Sequence, residues 1–341
     1  MSAPEREPKP EPEPEPERLD AFMARANAAY YARHDPFADF TTAPEISQIF
    51  GEVLGAWMAV TWQAMGRPAP VLLAEAGPGR GTLMADLRRI GRVMPDFLAA
   101  TRLHLIETSP RLRAIQQAAL PDAVFLDSAQ ALPPLPLLLV ANEFLDALPI
   151  RQFVRRPAGW GERFVQQGRF VELPCPPPAG LPADSAAPDG GVIEQSQAAL
   201  EAVRGLARHV AAQGGAALIL DYGPQHSAAG DSLQALRGGK PADPLADPGE
   251  ADLTAHVDFQ ALAEAARAQG AAVFGPAPQG MFLARLGLFQ RADRLARGLP
   301  PPRAQAMIEA ARRLAEPAAM GRLFKVLAIC HPALPEPAGF A

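Results

Sequence analysis

Residues 71–90 read VLLAEAGPGRGTLMADLRRI. The apolar run that surrounds Glu75 predicts a buried strand, and the residues after 81 repeat their apolar positions at helical spacing. Between strand and helix, Gly77, Gly79 and Gly81 allow a sharp turn and a close approach of the backbone to a ligand. The free amides of the helix N-terminus face the same place. The segment therefore predicts a strand, a ligand-binding turn and a helix.

Similar short apolar runs and helical stretches alternate downstream, in RLHLIE, SPRLRAIQQAAL, AVFLD and LPLLLVANEF. Short, fully apolar strands between helices are typical of a parallel sheet covered on both faces. The predicted fold class is α/β, with a Rossmann-like sheet.

The chain divides into five predicted segments. The alternating Pro and Glu of the N-terminus can support neither helix nor core, which predicts an extended, disordered tail. Residues 150–173 read as antiparallel hairpins inserted into the sheet domain. The segments are a tail at 1–18, a helical lid at 19–66, the first half of the sheet domain at 67–149, an inserted hairpin and helix subdomain at 150–213, and a second half at 214–341 with a long loop and a closing strand.

The 341 residues carry a formal net charge of -5, and residues 1–18 alone hold six Glu against three basic residues. A body so close to neutrality lacks the basic patch that nucleic acid or anionic lipid requires. The two cysteines, Cys175 and Cys330, have no metal-ligand spacing. No apolar run approaches the roughly 20 residues of a membrane-spanning helix. We expect no nucleic-acid partner, no metal, no membrane insertion and a cytoplasmic location.

Two carboxylates flank the glycine turn in the predicted fold. Glu107 ends the second strand, where a carboxylate can accept hydrogen bonds from both hydroxyls of a ribose. Glu75 lies before the glycines, where it would attract a cationic ligand and repel a pyrophosphate. The spacing is GxGxG and not the GxGxxG of dinucleotide-binding proteins. Together these features favour S-adenosylmethionine (SAM) over NAD as the cofactor.

Polar residues also follow the third and fourth strands. Asp127 and Ser128 lie where the adenine amino group needs an acceptor, although either residue could equally cap a helix. Asn142 and Glu143 follow the fourth strand, which neighbours the first strand across the switch point of the sheet. We assign Asn142 to the cofactor and Glu143 to catalysis; the alternative is that Asn142 or Asp146 caps the next segment.

Three further candidates follow later strands. Asp221 and Tyr222 end the strand AALILDYG, on the same edge of the sheet, and an Asx turn is the alternative role for Asp221. His256 precedes a predicted helix, and an ordinary loop histidine is its alternative role.

Six segments occur in a fixed order over about residues 20 to 331: DFTTAPEISQIFGE, EAGPGRGTLMADLRR, ANEFLDALPIRQF, LILDYG, ADLTAHVDF and LFKVLAI. Taken together they resemble the MidA family, the mitochondrial complex I assembly-factor type of class I methyltransferase. The resemblance implies a seven-stranded methyltransferase sheet with an inserted subdomain, SAM as cofactor, and methylation of an arginine in a partner protein. In the mitochondrial relatives that partner is a subunit of respiratory complex I. Ala76 is a mild departure, since many relatives have leucine there.

Arginine is a difficult acceptor because its guanidinium stays protonated and its lone pairs are delocalised. A carboxylate can clamp the guanidinium, localise its charge and accept the released proton. Glu143 is the first candidate for this clamp and Asp221 the second, with Tyr222 or His256 as orienting groups. Two alternatives are a methyltransferase with a small-molecule substrate and an assembly chaperone that keeps the fold.

Overall fold

A computed structural model describes residues 14–34, 42–179 and 187–340. The predictions made for residues 1–13 lie outside these ranges.

The described strands, in chain order, are β1 (Glu17–Arg18), β2 (Val71–Ala76), β3 (Thr101–Ile106), β4 (Val124–Leu126), β5 (Leu137–Asn142), β6 (Arg151–Arg156), β7 (Gly159–Gln166), β8 (Arg169–Cys175), β9 (Val192–Gln195), β10 (Gly215–Tyr222), β11 (Gln234–Arg237), β12 (Lys240–Ala242), β13 (Asp252–Thr254), β14 (Ala272–Pro278) and β15 (Phe324–Cys330). The described α-helices are α1 (Leu19–Arg33), α2 (Ala43–Ile46), α3 (Gln48–Ala64), α4 (Thr82–Leu87), α5 (Pro95–Ala100), α6 (Pro110–Ala119), α7 (Gln197–Gln213), α8 (Phe259–Arg267), α9 (Gln279–Arg285), α10 (Leu288–Ala296) and α11 (Pro301–Ala315).

The central sheet has seven strands in the order β14-β15-β10-β5-β2-β3-β4. β15 is antiparallel to both of its neighbours, and the remaining neighbouring pairs are parallel. The predicted α/β class and the seven-stranded, mostly parallel sheet are confirmed.

Both faces of this sheet are covered because its strands are apolar on both sides. Leu138 and Val140 of β5 face a core shared with α3, α4 and α9 to α11. Leu137 and Leu139 face the opposite core, shared with α7 and α8.

The register brings several polar residues to one edge of the sheet. Glu75 in β2 is paired with Val140 in β5, and Asn142 at the end of β5 is paired with Leu220 in β10. Since parallel strands end on the same side, Glu75, Asn142 and Asp221 all lie at the carboxyl edge, where open α/β sheets bind their ligands.

Strands β6 to β9 form most of a second, antiparallel sheet, in which β7 pairs with β6 and β8, and β6 pairs with β9. The N-terminal strand β1 joins it, with Glu17 opposite Val165. The predicted disordered tail, residues 1–18, therefore extends too far, since residues 17 and 18 form a strand of this sheet. β1 pairs with Phe164 and Val165 of β7, beyond the residues of β7 that pair with β6, and Arg25 forms an ion pair with Glu17 at 2.7 Å.

Helix α7 packs against the central sheet in the structure, whereas the sequence analysis places it in the inserted subdomain. Its apolar face, which includes Val203, Leu206 and Val210, packs in the core that contains Leu139 and Ile219. A prediction based on chain order alone could not tell which sheet this apolar stripe would cover.

The stretch between β10 and α8, predicted as a loop, contains the small three-stranded sheet β12-β11-β13. Its buried residues Ala235 and Leu253 pack with Leu19, Phe22 and Met23 from α1. This third core holds α1 above the carboxyl edge of the central sheet. Among the described helices, none is long and apolar enough to cross a membrane.

Candidate functional site

A cavity of about 580 Å³ opens at the carboxyl edge of the central sheet. Its lining comes from α1, α2, the glycine turn after β2, and the residues that follow β3 and β5. This volume is typical of a pocket for a cofactor-sized molecule. Of the twelve predicted site residues, six line it: Glu75, Gly77, Gly79, Glu107, Asn142 and Glu143.

The glycine turn has the predicted backbone geometry. Gly77, Gly79 and Gly81 have φ angles of 66°, 54° and 82°, a region that favours glycine. A Cβ atom at Gly77 would lie 2.7 Å from Phe144 Cδ2. Gly81 does not line the cavity, but it closes the turn, since its amide donates to Pro78 O at 2.7 Å.

Glu75 is a buried carboxyl group beside the turn. Glu75 is only 2 % exposed, and its Oε2 atom has no hydrogen-bond partner among the described residues. Burial raises the pKa of Glu75 to about 8, opposed by a hydrogen bond from the Met84 backbone amide. A cationic group in the cavity would favour the ionised form and satisfy the free oxygen.

Glu107 is held by hydrogen bonds to both of its oxygens. The Ser109 amide donates to Oε1 at 2.7 Å, and Gln116 Nε2 donates to Oε2 at 3.2 Å. Gln116 Nε2 also donates to Gly79 O at 2.7 Å, so this buried side chain ties the carboxylate to the glycine turn. We did not predict Gln116, because a glutamine within an amphipathic helix carries no distinctive sequence signal.

Glu143 lies at the other side of the cavity, with an unusual φ of 49° for a residue other than glycine. Its Oε1 accepts from the Ala43 amide at 3.0 Å and from Asn142 Nδ2 at 3.1 Å. Burial raises the pKa of Glu143 to about 7, and the nearby Asp146 carboxyl also raises it. Backbone strain of this kind is found where a function requires a particular side-chain direction.

Asp221 does not face the cavity, which corrects its predicted place in the guanidinium clamp. It is 1 % exposed, and its Oδ2 accepts from the backbone amides of Phe144, Leu145 and Asp146 at 3.2, 2.9 and 3.3 Å. Its Oδ1 accepts from the Tyr222 amide at 2.9 Å. The carboxyl group is occupied by backbone donors and lies outside the cavity lining.

Tyr222 and His256 also lie outside the cavity lining. The Tyr222 hydroxyl hydrogen-bonds with Asp146 and Thr254, and its ring meets His256 edge-on at 5.7 Å between centroids. His256 is exposed and lines a separate cavity between α7 and α8. Tyr222 and His256 therefore contact each other, and neither lines the cavity that contains Glu143.

Asp127 and Ser128 do not line the cavity either. The Asp127 side chain is 85 % exposed and pairs with Arg113 at 2.7 Å. Ser128 precedes a short 3-10 helix, to which its side chain makes no capping hydrogen bond. The strand β4, which precedes them, is short and lies at the edge of the sheet.

Helices α1 and α2 contribute residues to the cavity that sequence patterns indicate only weakly. Asn27, a buried residue of α1, donates from Nδ2 to Ala147 O at 3.0 Å and to Leu253 O at 2.8 Å. Glu45 of α2, which lies within the predicted lid segment, accepts from Thr82 Oγ1 at 2.6 Å. Because Asn27, Glu45 and Thr82 all line the cavity, both helices enclose it from the side opposite the sheet.

Comparison with known proteins agrees with this architecture. Residues 53–277 match the family described as "Putative S-adenosyl-L-methionine-dependent methyltransferase". The mouse (Mus musculus) protein named "Protein arginine methyltransferase NDUFAF7, mitochondrial" is 34 % identical, with 92 % of this chain and 80 % of that protein covered. A Drosophila melanogaster homologue of that protein is 32 % identical over the same shares. A Burkholderia thailandensis protein crystallised with S-adenosyl-homocysteine is 28 % identical, with a TM-score of 0.77, over 94 % of this chain and 89 % of that one.

The predicted cytoplasmic location is wrong in the light of these relatives, which are named as mitochondrial proteins. Composition and hydropathy describe how a chain interacts with water and lipid, and they carry no information on the compartment.

The cavity chemistry fits the cofactor that these relatives imply. A buried carboxyl group with a free oxygen suits a cationic ligand, and the glycine turn leaves the backbone open to it. By fold, by sequence and by the motifs around this cavity, the chain belongs to the family of SAM-dependent methyltransferases that includes the NDUFAF7 proteins, with SAM as its cofactor.

Proposed function

We propose that this protein transfers a methyl group to an arginine of a partner protein. The observation that carries the proposal is Glu143, a carboxyl group that lines the same cavity as the glycine turn and is positioned by two hydrogen bonds. The mouse and fly relatives are named protein arginine methyltransferases, which supports the same acceptor.

SAM supplies an electrophilic methyl group on a positively charged sulfur. In our proposal Glu75 faces its positive charge, Gly77 and Gly79 leave room for it along the backbone, and Glu107 accepts hydrogen bonds from its ribose. Gln116 positions Glu107 against the turn, through the two hydrogen bonds described above.

Glu143 prepares the acceptor. Its carboxylate would hold the guanidinium and draw positive charge towards the nitrogens that are not methylated, which leaves a lone pair on the remaining nitrogen. The same carboxylate would take up the proton released on transfer. A pKa near neutrality suits this exchange, because the group can hold and release a proton at working pH.

We further propose that the partner is a subunit of respiratory complex I or a protein like it, as the family resemblance implies. The charge balance of the chain gives no reason to expect nucleic acid as the partner.

The proposal is tested by incubating the purified protein with methyl-labelled SAM and an extract from a strain that lacks it. Mass spectrometry of the labelled species locates the added methyl group. We expect methylarginine in one or a few proteins. Label in a small metabolite would support the small-molecule alternative, and absence of any transfer while SAM still binds would support a chaperone.

A further inference from the structure

We infer that Asn142 acts on the acceptor guanidinium, by holding Glu143 with its Nδ2 and offering its Oδ1 as a second acceptor oxygen. The inference rests on the proposed function and changes the cofactor role that the sequence suggested for this residue.

The first observation is how the oxygens of Glu143 are used. Oε1 already accepts two hydrogen bonds, from the Ala43 amide at 3.0 Å and from Asn142 Nδ2 at 3.1 Å. Oε2 accepts none from the described residues, which leaves it for a ligand. One carboxylate oxygen is therefore committed to positioning the side chain and one to binding.

The second observation is the free oxygen of Asn142. The residue is 7 % exposed and lines the cavity, and its Oδ1 is buried without a hydrogen-bond partner in the described part of the chain. A buried polar atom without a partner is costly in native proteins, and because Asn142 lines the cavity, a bound ligand can supply the missing donor. The orientation of the amide follows from its neighbour, since a carboxylate attracts the NH₂ group and repels the carbonyl oxygen.

A guanidinium can bind two acceptors along one edge, because it presents two N–H groups in a fixed fork. Glu143 Oε2 and Asn142 Oδ1 belong to adjacent residues at the end of β5 and together supply two such oxygens. On the cofactor side of the cavity, Glu75 Oε2 is a separate buried oxygen without a partner among the described residues.

The neutrality of the second acceptor has a physical reason. A single negative charge balances a guanidinium, whereas a second carboxylate would repel Glu143 and raise its pKa. The other two carboxyl groups of this region have partners within the protein. Asp221 accepts hydrogen bonds from backbone amides, and Asp146 hydrogen-bonds with Tyr222.

The test compares Asn142→Ala and the nearly isosteric Asn142→Asp with Gln279→Ala. Gln279 is a matched control, since it is a fully buried amide that does not line the cavity and whose Oε1 also lacks a hydrogen-bond partner among the described residues. Calorimetry gives the SAM affinity, and the acceptor is the protein labelled in the transfer experiment. Circular dichroism verifies that each variant is folded.

For Asn142→Ala we expect SAM affinity to be retained and kcat/KM for the acceptor to fall by about 10-fold to 100-fold, the effect of losing buried hydrogen bonds to a charged group. For Asn142→Asp we expect the pH profile of kcat/KM to move to higher pH, because the added charge makes Glu143 harder to ionise. Gln279→Ala should change neither quantity.

Two outcomes separate this inference from the proposed function. If the wild-type protein forms methylarginine but Asn142→Ala keeps its kcat/KM, or loses only SAM affinity, the inference is overturned and the proposed function stands. If the wild-type protein forms no methylarginine, both are contradicted.

Discussion

Asp221 Oδ2 accepts a hydrogen bond of 2.9 Å from the backbone amide of Leu145, 76 residues earlier in the chain. The neighbouring amides of Phe144 and Asp146 donate to the same oxygen. The residues that follow Glu143 therefore turn around a buried carboxyl group at the end of β10. Asp221 positions the loop next to Glu143 and does not line the cavity.

Replacing Asp221 with asparagine should lower stability and not only catalysis. Asparagine offers one acceptor oxygen where aspartate offers two, and its NH₂ group would meet a backbone N–H. We expect a loss of about 1–3 kcal/mol in the free energy of unfolding, measured by urea titration. Asp127→Asn, at an exposed carboxyl group, is the control. Unchanged stability of Asp221→Asn would show that the amides have other acceptors.

The glycine turn can be tested by adding a single methyl group. Gly77→Ala should abolish calorimetric SAM binding, because its Cβ would lie 2.7 Å from a Phe144 ring carbon. Gly66→Ala is a matched control: Gly66 also has a positive φ, 82°, but no atom of the described residues lies within 4 Å of the added Cβ. The control should lose about 1 kcal/mol of stability from backbone strain and keep SAM affinity. Equal SAM affinity in the two folded variants would remove the turn from the cofactor site.

The raised pKa of Glu75 predicts how the stability of the protein depends on pH. Its pKa in the folded protein is raised from 4.5 to about 8, so the folded state keeps a proton that the unfolded state releases. The contribution of Glu75 to stability is therefore full below pH 4.5 and is lost as pH rises through about 8.

Glu75→Gln lacks this titration. Without ligand, its melting temperature should exceed that of the wild type by an amount that grows over this pH range, since each unit of pKa shift corresponds to about 1.4 kcal/mol. The same variant should bind SAM more weakly at high pH, where wild-type Glu75 is ionised. A melting-temperature difference that is independent of pH would contradict the buried, protonated state of Glu75.

The sequence predicted those features that depend on local pattern. The apolar strands and the glycines at 77, 79 and 81 determine the sheet and the turn through short-range rules, and the structure contains both. Glu107 could also be selected as a site candidate from sequence, because it lies at the end of the second strand of the predicted sheet.

The direction of a side chain at the end of a strand could not be predicted in this way. Asp221 lies near the end of the apolar strand β10 and Glu143 directly follows β5, yet one binds backbone amides and the other lines the cavity. The difference arises from the path of residues 144–146, which is a tertiary property. Asn27 was missed for a similar reason, because its three backbone hydrogen bonds join α1 to segments more than a hundred residues away.

The most direct measurement of the central claim compares methyl transfer by Glu143→Gln and Glu107→Gln at saturating SAM. Glu143→Gln removes the charge that holds the acceptor, so SAM should still bind while the rate of methylarginine formation falls about 100-fold or more. Glu107→Gln affects the cofactor side, so SAM affinity should fall while the rate at saturation stays close to that of the wild type. The account would be contradicted if Glu143→Gln formed methylarginine within about threefold of the wild-type rate, against that expected loss.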